Sequence, residues 1–541
     1  MELSQKIPKH ETTTDEPNGA SGLLPIDTQS LCPECLRVIR ATIYEADGRV
    51  FMRKRCLTHG AYQELLSSDA TFYRLMLTRD RSAHATLPPA AATAPDCPRA
   101  CGLCADHLSG PMMINIDLTN RCNLHCPICF ANADARQEVA ELNLDQIRRL
   151  LDLSCTTNAY RPPCLQYTGG EPTVHPEFLP ALREAAARKF AQVQVATNGL
   201  RFAREPEFAA QAGEAGLNVA YLQFDGLRDE VYQRLRGRPL LELKRAAIAN
   251  LYAAGVRTIL VPTIVKGIND DQLGRILAFA VEHSAEVCAI SWQPVAFTGR
   301  LDYAQRLAQR FTVADLVHEI ERQTGLVEAY RDWYPFCFVD PFARLVEALD
   351  RAPTMALSCS PACGVATYLI VDSRTRRAAP LPSFIAVEPL MDTLRQTAAR
   401  LQKGGLFGRM YATRELRGLH RFHDRKRGPA NWSFEEFVDF LLDFVDFRER
   451  YGDNDARVKA TENLRYRPLL MAGMHFQDVY NYQLDRVRRC VIHYAAADGR
   501  MYPFCSYNSG PCYRQRVESR LAVPLSRYQA AARPGTPGTL R

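Results

Sequence analysis

From residue 112 onward, short apolar runs alternate with amphipathic stretches. Strand-like runs fall near residues 112–118, 164–168, 191–197, 218–224, 258–265 and 288–295, and helical periodicity at about 144–154, 176–189, 205–215, 241–254 and 270–283. Such alternation implies a parallel sheet, and six units predict an α/β fold built on an open (β/α)6 barrel over residues 111–330. Functional groups are then expected on the loops at the C-terminal strand ends. Upstream, residues 1–30 read as a disordered tail, with the polar stretch Thr12–Gly19. Residues 31–70 read as a small β-rich unit, with Asp47-Gly48 turning a hairpin between Val38–Tyr44 and Val50–Lys54. Residues 71–110 form a linker with the Pro/Ala-rich stretch Leu87–Pro95, and residues 331–541 an α+β region. In that region Ser433-x-x-Glu436 is a capping box opening an amphipathic helix. Its stripe of Phe434, Phe437, Leu441, Phe444 and Val445 suits a core face, or the wall of an apolar substrate channel.

At 541 residues the chain exceeds a single core, so several domains are expected. Hydrophobic residues at 47% and charged residues at 23% are those of a soluble globular protein. The net charge of +7 comes without a dense basic run, and Arg425-Lys426-Arg427 reads as a solvated loop. Nucleic acid is therefore not an expected partner, while a weaker attraction to anionic lipid headgroups stays open. No apolar run approaches the ~20 residues needed to span a bilayer, and the polar N-terminus lacks a signal-peptide core. A cytoplasmic location, with peripheral membrane contact left open, is the expectation.

The 18 cysteines change the picture. In a reducing compartment they point to metal or catalysis rather than disulfides. Cys122, Cys126 and Cys129 form C-x3-C-x2-C directly after the first barrel strand. Three thiolates on one loop can hold three irons of a 4Fe–4S cube and leave the fourth open to chelate a small molecule. The alternatives are a zinc knuckle with a distant fourth ligand, or reduced core thiols. One βα unit later come Gly169-Gly170-Glu171-Pro172, where backbone must approach a ligand closely and Glu171 offers a carboxylate to an ammonium group. Phe130, Asn198, Gln223, Asp225, Thr263, Trp292 and Gln293 fall on the same predicted rim. Near the N-terminus, Cys32-x2-Cys35 and Cys56-x2-His59 flank the hairpin and spell a Cys3His site for zinc or iron. Cys97-x3-Cys101-x2-Cys104, followed by His107, suits zinc or an auxiliary cluster. Setting aside the barrel and ribbon thiols and the isolated Cys155, Cys164 and Cys288 leaves nine cysteines, and two cubanes need eight. Cys337, Cys359, Cys363, Cys490 and Cys505 join Cys97, Cys101 and Cys104 in that set, with Cys512 over.

The triad and the Gly-Gly-Glu-Pro segment resemble those of the radical S-adenosylmethionine (SAM) superfamily. The ordered Cys32-Pro-Glu-Cys35, Cys97-to-His107, Cys122-to-Cys129, Cys490-Val-Ile-His-Tyr494 and Pro503-Phe-Cys505 segments narrow the likeness, over nearly the whole chain from about residue 31. They are similar to the archaeal tetraether lipid synthase family, some of whose relatives are described as pterin methyltransferases. The resemblance implies a SAM-binding cluster on Cys122, Cys126 and Cys129, two auxiliary 4Fe–4S clusters and a rubredoxin-like iron. It implies that Gly169, Gly170 and Glu171 hold the amino group of SAM. It also implies reductive cleavage of SAM, hydrogen abstraction from an unactivated carbon and C–C coupling of lipid chains, with an external donor of the flavodoxin or ferredoxin type. The alternative is methylation of a pterin or other small molecule; a third reading is an electron carrier that uses no SAM. The chain departs from the superfamily's habit at Ile128, where an aromatic is commoner, although Phe130 is adjacent.

Overall fold

The computed structural model describes residues 22–82, 97–133, 137–157, 164–301, 305–350, 357–429, 432–433, 435–436 and 464–531. The linker stretch 87–95, most of the N-terminal tail and the stripe at Phe434, Phe437, Leu441, Phe444 and Val445 lie outside the described residues. The capping box that opens the stripe is formed: the Glu436 amide donates to Ser433 Oγ at 3.1 Å, and the Ser433 amide to the Glu436 carboxylate at 2.6 Å.

The first unit is an antiparallel sheet of β1 (Ile26–Leu31), β2 (Val38–Ala46), β3 (Arg49–Cys56) and β4 (Gly60–Ser67), followed by α1 (Ala70–Thr78). Asp47 and Gly48 both take positive φ, 51° and 69°, as a two-residue turn between twisted strands demands. The expected tail is too long, because residues 26–30 belong to β1, paired from Ile26↔Ile43 to Leu31↔Val38. Its alternation of Asp27, Gln29 and small polar residues hid a half-buried strand edge. Buried polar groups fasten this unit to the rest: Lys54 Nζ donates to Ser30 Oγ and the Val479 carbonyl, each at 3.0 Å. Glu64 pairs with Arg306 and Arg310, and Arg310 in turn with Asp478.

The central sheet carries β5 (Met113–Thr119), β7 (Cys164–Gly169), β8 (Gln192–Thr197), β9 (Val219–Gln223), β10 (Arg257–Val261) and β12 (Val287–Pro294) side by side and all parallel. The six expected strands are these. Pro262 splits the fifth, leaving β11 (Thr263–Ile264) beside β12, and a two-residue β6 (Glu138–Val139) lies apart. Helices α2 (Leu144–Thr156), α3 (Phe178–Ala187), α4 (Leu200–Arg204), α5 (Pro206–Glu214), α6 (Asp229–Arg236), α7 (Leu241–Ala253) and α8 (Leu273–Glu282) intervene. Period-2 alternation sorts the strands: Ile114, Ile116, Leu118, Leu165, Tyr167, Val193 and Val195 join the core under the helices. Their neighbours Asn115, Asp117, Gln166, Thr168 and Gln194 take the opposite, inner face.

The sheet does not stop at residue 330. β13 (Tyr334–Pro335), β14 (Gly364–Asp372), β15 (Ala378–Pro380) and β16 (Tyr466–Met474) continue it beyond β12, with β16 parallel to β12 and β14 antiparallel to β16. On the other edge β17 (Ile492–Ala495) pairs in parallel with β5, and β18 (Met501–Pro503) with β17. A last strand, β19 (Val523–Pro524), pairs with β6. The C-terminal region thus covers both edges of the barrel sheet, which the sequence reading left open. Edge pairing across hundreds of residues leaves no trace in local periodicity, and an uncovered parallel edge would expose unpaired backbone. Among the described residues no helix is long and apolar enough to cross a membrane.

Candidate active site and metal centres

A cleft of about 250 Å³ opens at the C-terminal ends of the barrel strands. Cys122, Cys126 and Cys129 line it, with Phe130, Gly169, Gly170, Glu171, Asn198, Gln223 and Thr263. The loop bearing the thiols is held from several sides. Gly169 sits at φ 131°, where a Cβ would meet the Thr119 carbonyl at 2.3 Å, and a Cβ on Gly170 would meet that of Arg121 at 2.3 Å. The Gly170 and Glu171 amides donate to those same carbonyls at 2.7 and 2.9 Å. The glycines are therefore required by the close approach of β7 to the cysteine loop. Arg236 forms a buried two-point ion pair with Asp225, at 2.7 and 2.8 Å, and donates to the Ile128 carbonyl at 2.9 Å and to Thr263 Oγ1 at 3.1 Å. Arg300 donates to the Cys126 carbonyl at 2.9 Å and exchanges backbone bonds with Cys129. Ile128 packs against the buried cluster of Val231, Leu235, Val265, Val295 and Phe297.

Glu171 is 1% exposed and accepts four hydrogen bonds, from Thr173 Oγ1 (2.6 Å), the Thr173 amide (3.2 Å), Thr197 Oγ1 (2.8 Å) and the Asn198 amide (2.7 Å). Burial raises its pKa against those bonds. Three bonds go to Oε1 and one to Oε2, which leaves acceptor capacity on Oε2. Asn198 is positioned in turn by Asn123 Oδ1 at 2.7 Å and by Lys244. Lys244 is fully buried, donates to the Asn198 carbonyl at 2.5 Å and Gln223 Oε1 at 2.8 Å, and has its pKa pushed down to about 7 by burial.

Two rim residues lie elsewhere than expected. Trp292 is fully buried in the core under the helices, because strand alternation turns it away from the cleft and leaves Gln293 facing inward. Asp225, also fully buried, serves Arg236, Gln223 and the Thr263 amide rather than the cleft. Sequence reasoning missed Arg236, Arg300, Lys244, Tyr221 and Phe476. Arg236 and Lys244 sit on ordinary amphipathic helices, where a buried cation looks like a solvated one, and Arg300 lies half-exposed in the loop after β12.

The residues fit an iron–sulfur cube with an open iron. Burial, with the Glu171 charge behind it, pushes the Cys122 thiol up to about 12, and burial raises Cys126 against the pull of Arg236. Thiols so placed lose their protons to a metal rather than to water. The Leu124 amide donates to Cys122 Sγ at 3.4 Å, and the loop leaves one side of the thiol set facing the cleft.

In the ribbon, the donor atoms of Cys32, Cys35, Cys56 and His59 all lie within 4.8 Å of one another, compact enough for a single ion. His59 Nδ1 is 3.5 Å from both Cys32 and Cys56 sulfurs. Amides of Thr58 and His59 donate to Cys56 and lower its pKa to about 7.

The remaining thiols gather into two neighbourhoods. Burial raises Cys97 to about 11, with Cys104 contributing, and Cys101 to about 12, with Cys97 contributing. Beyond the barrel, Cys359 is raised by burial and then by Cys363 and Cys490, while Cys490 is raised by burial and by Cys505 and Cys363. Cys337 packs on Cys359. Arg489 donates to the Ser358 and Cys359 carbonyls and binds Asp80, and Arg486 lies beside Cys363 and Cys505. His107 turns its Nε2 to the Cys490 carbonyl at 2.9 Å and to His493 Nε2 at 3.1 Å. Cys512 approaches the Asn508 carbonyl.

An open parallel barrel, a three-thiol loop at its mouth and a buried carboxylate behind paired glycines define an enzyme of the radical SAM class. The Radical SAM superfamily profile matches residues 116–280, and that of the HMPTM N-terminal zinc ribbon domain residues 24–68. The chain is 35% identical over 515 residues, 93% of its length and 96% of the other's, to a 7,8-dihydro-6-hydroxymethylpterin dimethyltransferase of Methanocaldococcus jannaschii. It is 33% identical over 191 residues to a GTP 3′,8-cyclase of Streptomyces coelicolor, covering 34% of this chain and 53% of that one. Among solved structures, SuiB of Streptococcus suis bound to S-adenosylmethionine overlaps 40% of this chain and 48% of its own, at 16% identity and TM-score 0.33. The chain belongs to the radical SAM superfamily, in the family that includes the M. jannaschii pterin dimethyltransferase.

Proposed function

We propose that the protein is a radical SAM methyltransferase acting on a pterin or a related nitrogen heterocycle. The observation that carries this reading is the polarity of the barrel interior. Asn115, Gln166, Gln194, Tyr221, Ser291 and Gln293 occupy inner positions that bulky aliphatics fill in a closed (β/α)8 barrel. Tyr221 Oη shares a hydrogen bond with Ser291 Oγ at 2.6 Å and accepts one from Gln293 Nε2 at 2.9 Å. Such a floor suits a heterocycle with donors and acceptors; an alkyl chain there would strip polar groups of their partners. The full-length likeness to a pterin dimethyltransferase supports the same reading over lipid coupling.

When bound, the cluster and SAM supply a carbon-centred radical, made by one-electron cleavage of a C–S bond, that takes hydrogen from an unreactive carbon. Cys122, Cys126 and Cys129 would hold that cluster. Gly170, Glu171 and Asn198 would orient the methionine end of SAM, and Phe130 and Thr263 flank the remaining rim. Phe130 stacks on Phe504 at 5.5 Å, and Phe476 on Phe504 at 4.2 Å, closing the cleft with rings contributed by the C-terminal region. That apolar wall excludes water from the reacting carbon. We further propose two auxiliary 4Fe–4S clusters, for which Cys97, Cys101 and Cys104 would supply three ligands and the group of Cys337, Cys359, Cys363, Cys490 and Cys505 the other five. Arg486 and Arg489 would offset their negative charge. The ribbon would hold one zinc or iron ion, and an external flavodoxin- or ferredoxin-type protein would supply electrons. Anaerobic incubation with SAM, dithionite and either pterins or archaeal-type phospholipids tests the reading. Substrate-dependent 5′-deoxyadenosine and a methylated pterin are expected; turnover of the lipid alone would overturn it.

A further inference from the structure

The inner face of β5, β7 and β8 carries a row of amides one layer beneath the cleft. The register pairs Asn115 with Gln166 and Gln166 with Gln194, so the three side chains stand next to one another across three strands. Thr168 and Ala196, two residues further along β7 and β8 on the same face, line the cleft. The row therefore lies about 7 Å deeper, at roughly 3.3–3.4 Å of rise per residue. All three are at least nine-tenths buried.

Their hydrogen bonding is incomplete. Gln166 Nε2 donates to Asn115 Oδ1 at 3.1 Å, which leaves Gln166 Oε1 and Asn115 Nδ2 without partners. Whichever way the two amides face, a single bond between them leaves one donor and one acceptor over. Gln194 Nε2 donates to Gln192 Oε1 at 3.0 Å and leaves its own Oε1 unpartnered. Buried amide atoms are satisfied in the great majority of folded proteins, so three open ones in a row, directly under a ligand cleft, call for a partner.

We propose that Asn115, Gln166 and Gln194 form a specificity subsite that reads the edge of a 2-amino-4-oxopyrimidine ring. That edge presents an exocyclic N–H donor, a ring N–H donor and a carbonyl acceptor in sequence. Gln194 Oε1 accepts from the exocyclic amine, while the Asn115–Gln166 pair accepts from the ring N–H and donates to the carbonyl. The inference rests on the heterocycle reading above and names which edge of the ring is read and by what. It assigns no contact to the reacting carbon, which stays in the cleft above.

The test uses cluster-loaded, SAM-bound protein and two probes, 6-methylpterin and 6-methyllumazine. The second replaces the exocyclic amine by a carbonyl, turning a donor into an acceptor. The wild-type protein is expected to prefer 6-methylpterin by about 10- to 100-fold, since a site built to pair a polar group rejects the analogue lacking it. Gln194→Met should bring that ratio close to 1, Gln194→Glu should keep the preference, and Gln166→Met should weaken both probes together. Gln194→Asn, which only withdraws the amide by one carbon, provides a variant that keeps the layer polar should the Met variants not fold. A wild-type preference that survives Gln194→Met or Gln194→Asn would overturn the subsite, leaving the row to buried water and the pterin reading untouched. Failure of the wild-type protein to bind 6-methylpterin at all would overturn the pterin reading itself, and the subsite with it.

Discussion

Replacing Glu171 separates its two roles. In Glu171→Ala, the Asn198 and Thr173 amides lose their acceptor inside a site 1% exposed to solvent, and neither can rotate to find another. The hydroxyls of Thr173 and Thr197 can turn away, so the main cost is the two stranded amides, about 1–3 kcal/mol each. Glu171→Gln is milder: its oxygen can stay with the two threonines, but its amide group then faces the Asn198 N–H donor to donor. That costs about one charge-assisted bond, roughly 1.5–3 kcal/mol, and removes the charge an ammonium would meet. At about 1.4 kcal/mol per decade, SAM affinity should fall roughly 10- to 150-fold in Glu171→Gln and at least as far in Glu171→Ala. Equilibrium dialysis of SAM against anaerobically reconstituted protein, with iron content and circular dichroism checked, reads both. Unchanged SAM binding by Glu171→Gln, alongside a loss in Glu171→Ala, would refute the ammonium contact and keep only the clamp on Asn198. Wild-type binding by both would refute the reasoning altogether.

The triple replacement of Cys122, Cys126 and Cys129 by Ala should abolish 5′-deoxyadenosine formation while leaving substantial bound iron; persistence of that product would remove the cluster from this loop. Cys56→Ser should cost one equivalent of zinc or mononuclear iron by elemental analysis and expose residues 22–67 to proteolysis, because the sheet's own core, Ala41, Ile43, Val50, Met52, Leu66 and Ala70, is too small to hold it without the ion. A pH-dependent tie joins the ribbon's end to the barrel: His318 Nε2 lies 2.8 Å from Asp69, and the Tyr330 hydroxyl donates to the same carboxylate at 2.6 Å. Hydrogen bonding to Asp69 raises the His318 pKa, while burial of Asp69 is outweighed by bonds from His318 and Tyr330 that hold it at about 2. The His318 contribution is complete below its ordinary pKa near 6.5 and lost as pH rises through the raised value; that of Asp69 is present above about 3.8 and lost toward 2. Melting temperature should thus decline on passing from about pH 6.5 to 8 in the wild-type protein and less so in His318→Gln; parallel curves would show that the pair carries none of the dependence.

The barrel was legible because each of its six strands obeys a local rule, an apolar run closed by a turn, and because cysteine spacing is itself a statement about ligand geometry. The same locality made Cys122, Cys126 and Cys129, Gly169-Gly170-Glu171 and the Cys3His ribbon readable before any fold was in hand. What no local pattern carries is which face a strand residue takes and what a distant segment brings to it. Trp292 and Gln293 are neighbours in sequence, yet a one-residue step sends one to the helix core and the other to the barrel floor. The buried cations Arg236 and Lys244 are indistinguishable from surface charges until α6 and α7 pack and desolvate them. The glycines of β7 looked like room for a ligand; their first neighbour is the cysteine loop itself. Above all, β16 and β17 close opposite edges of one sheet from the far end of the chain, because exposed backbone donors must pair with whatever strand the fold can deliver. That pairing, set only in three dimensions, gathers the late cysteines and carries the phenylalanine wall to the mouth of a barrel built hundreds of residues earlier.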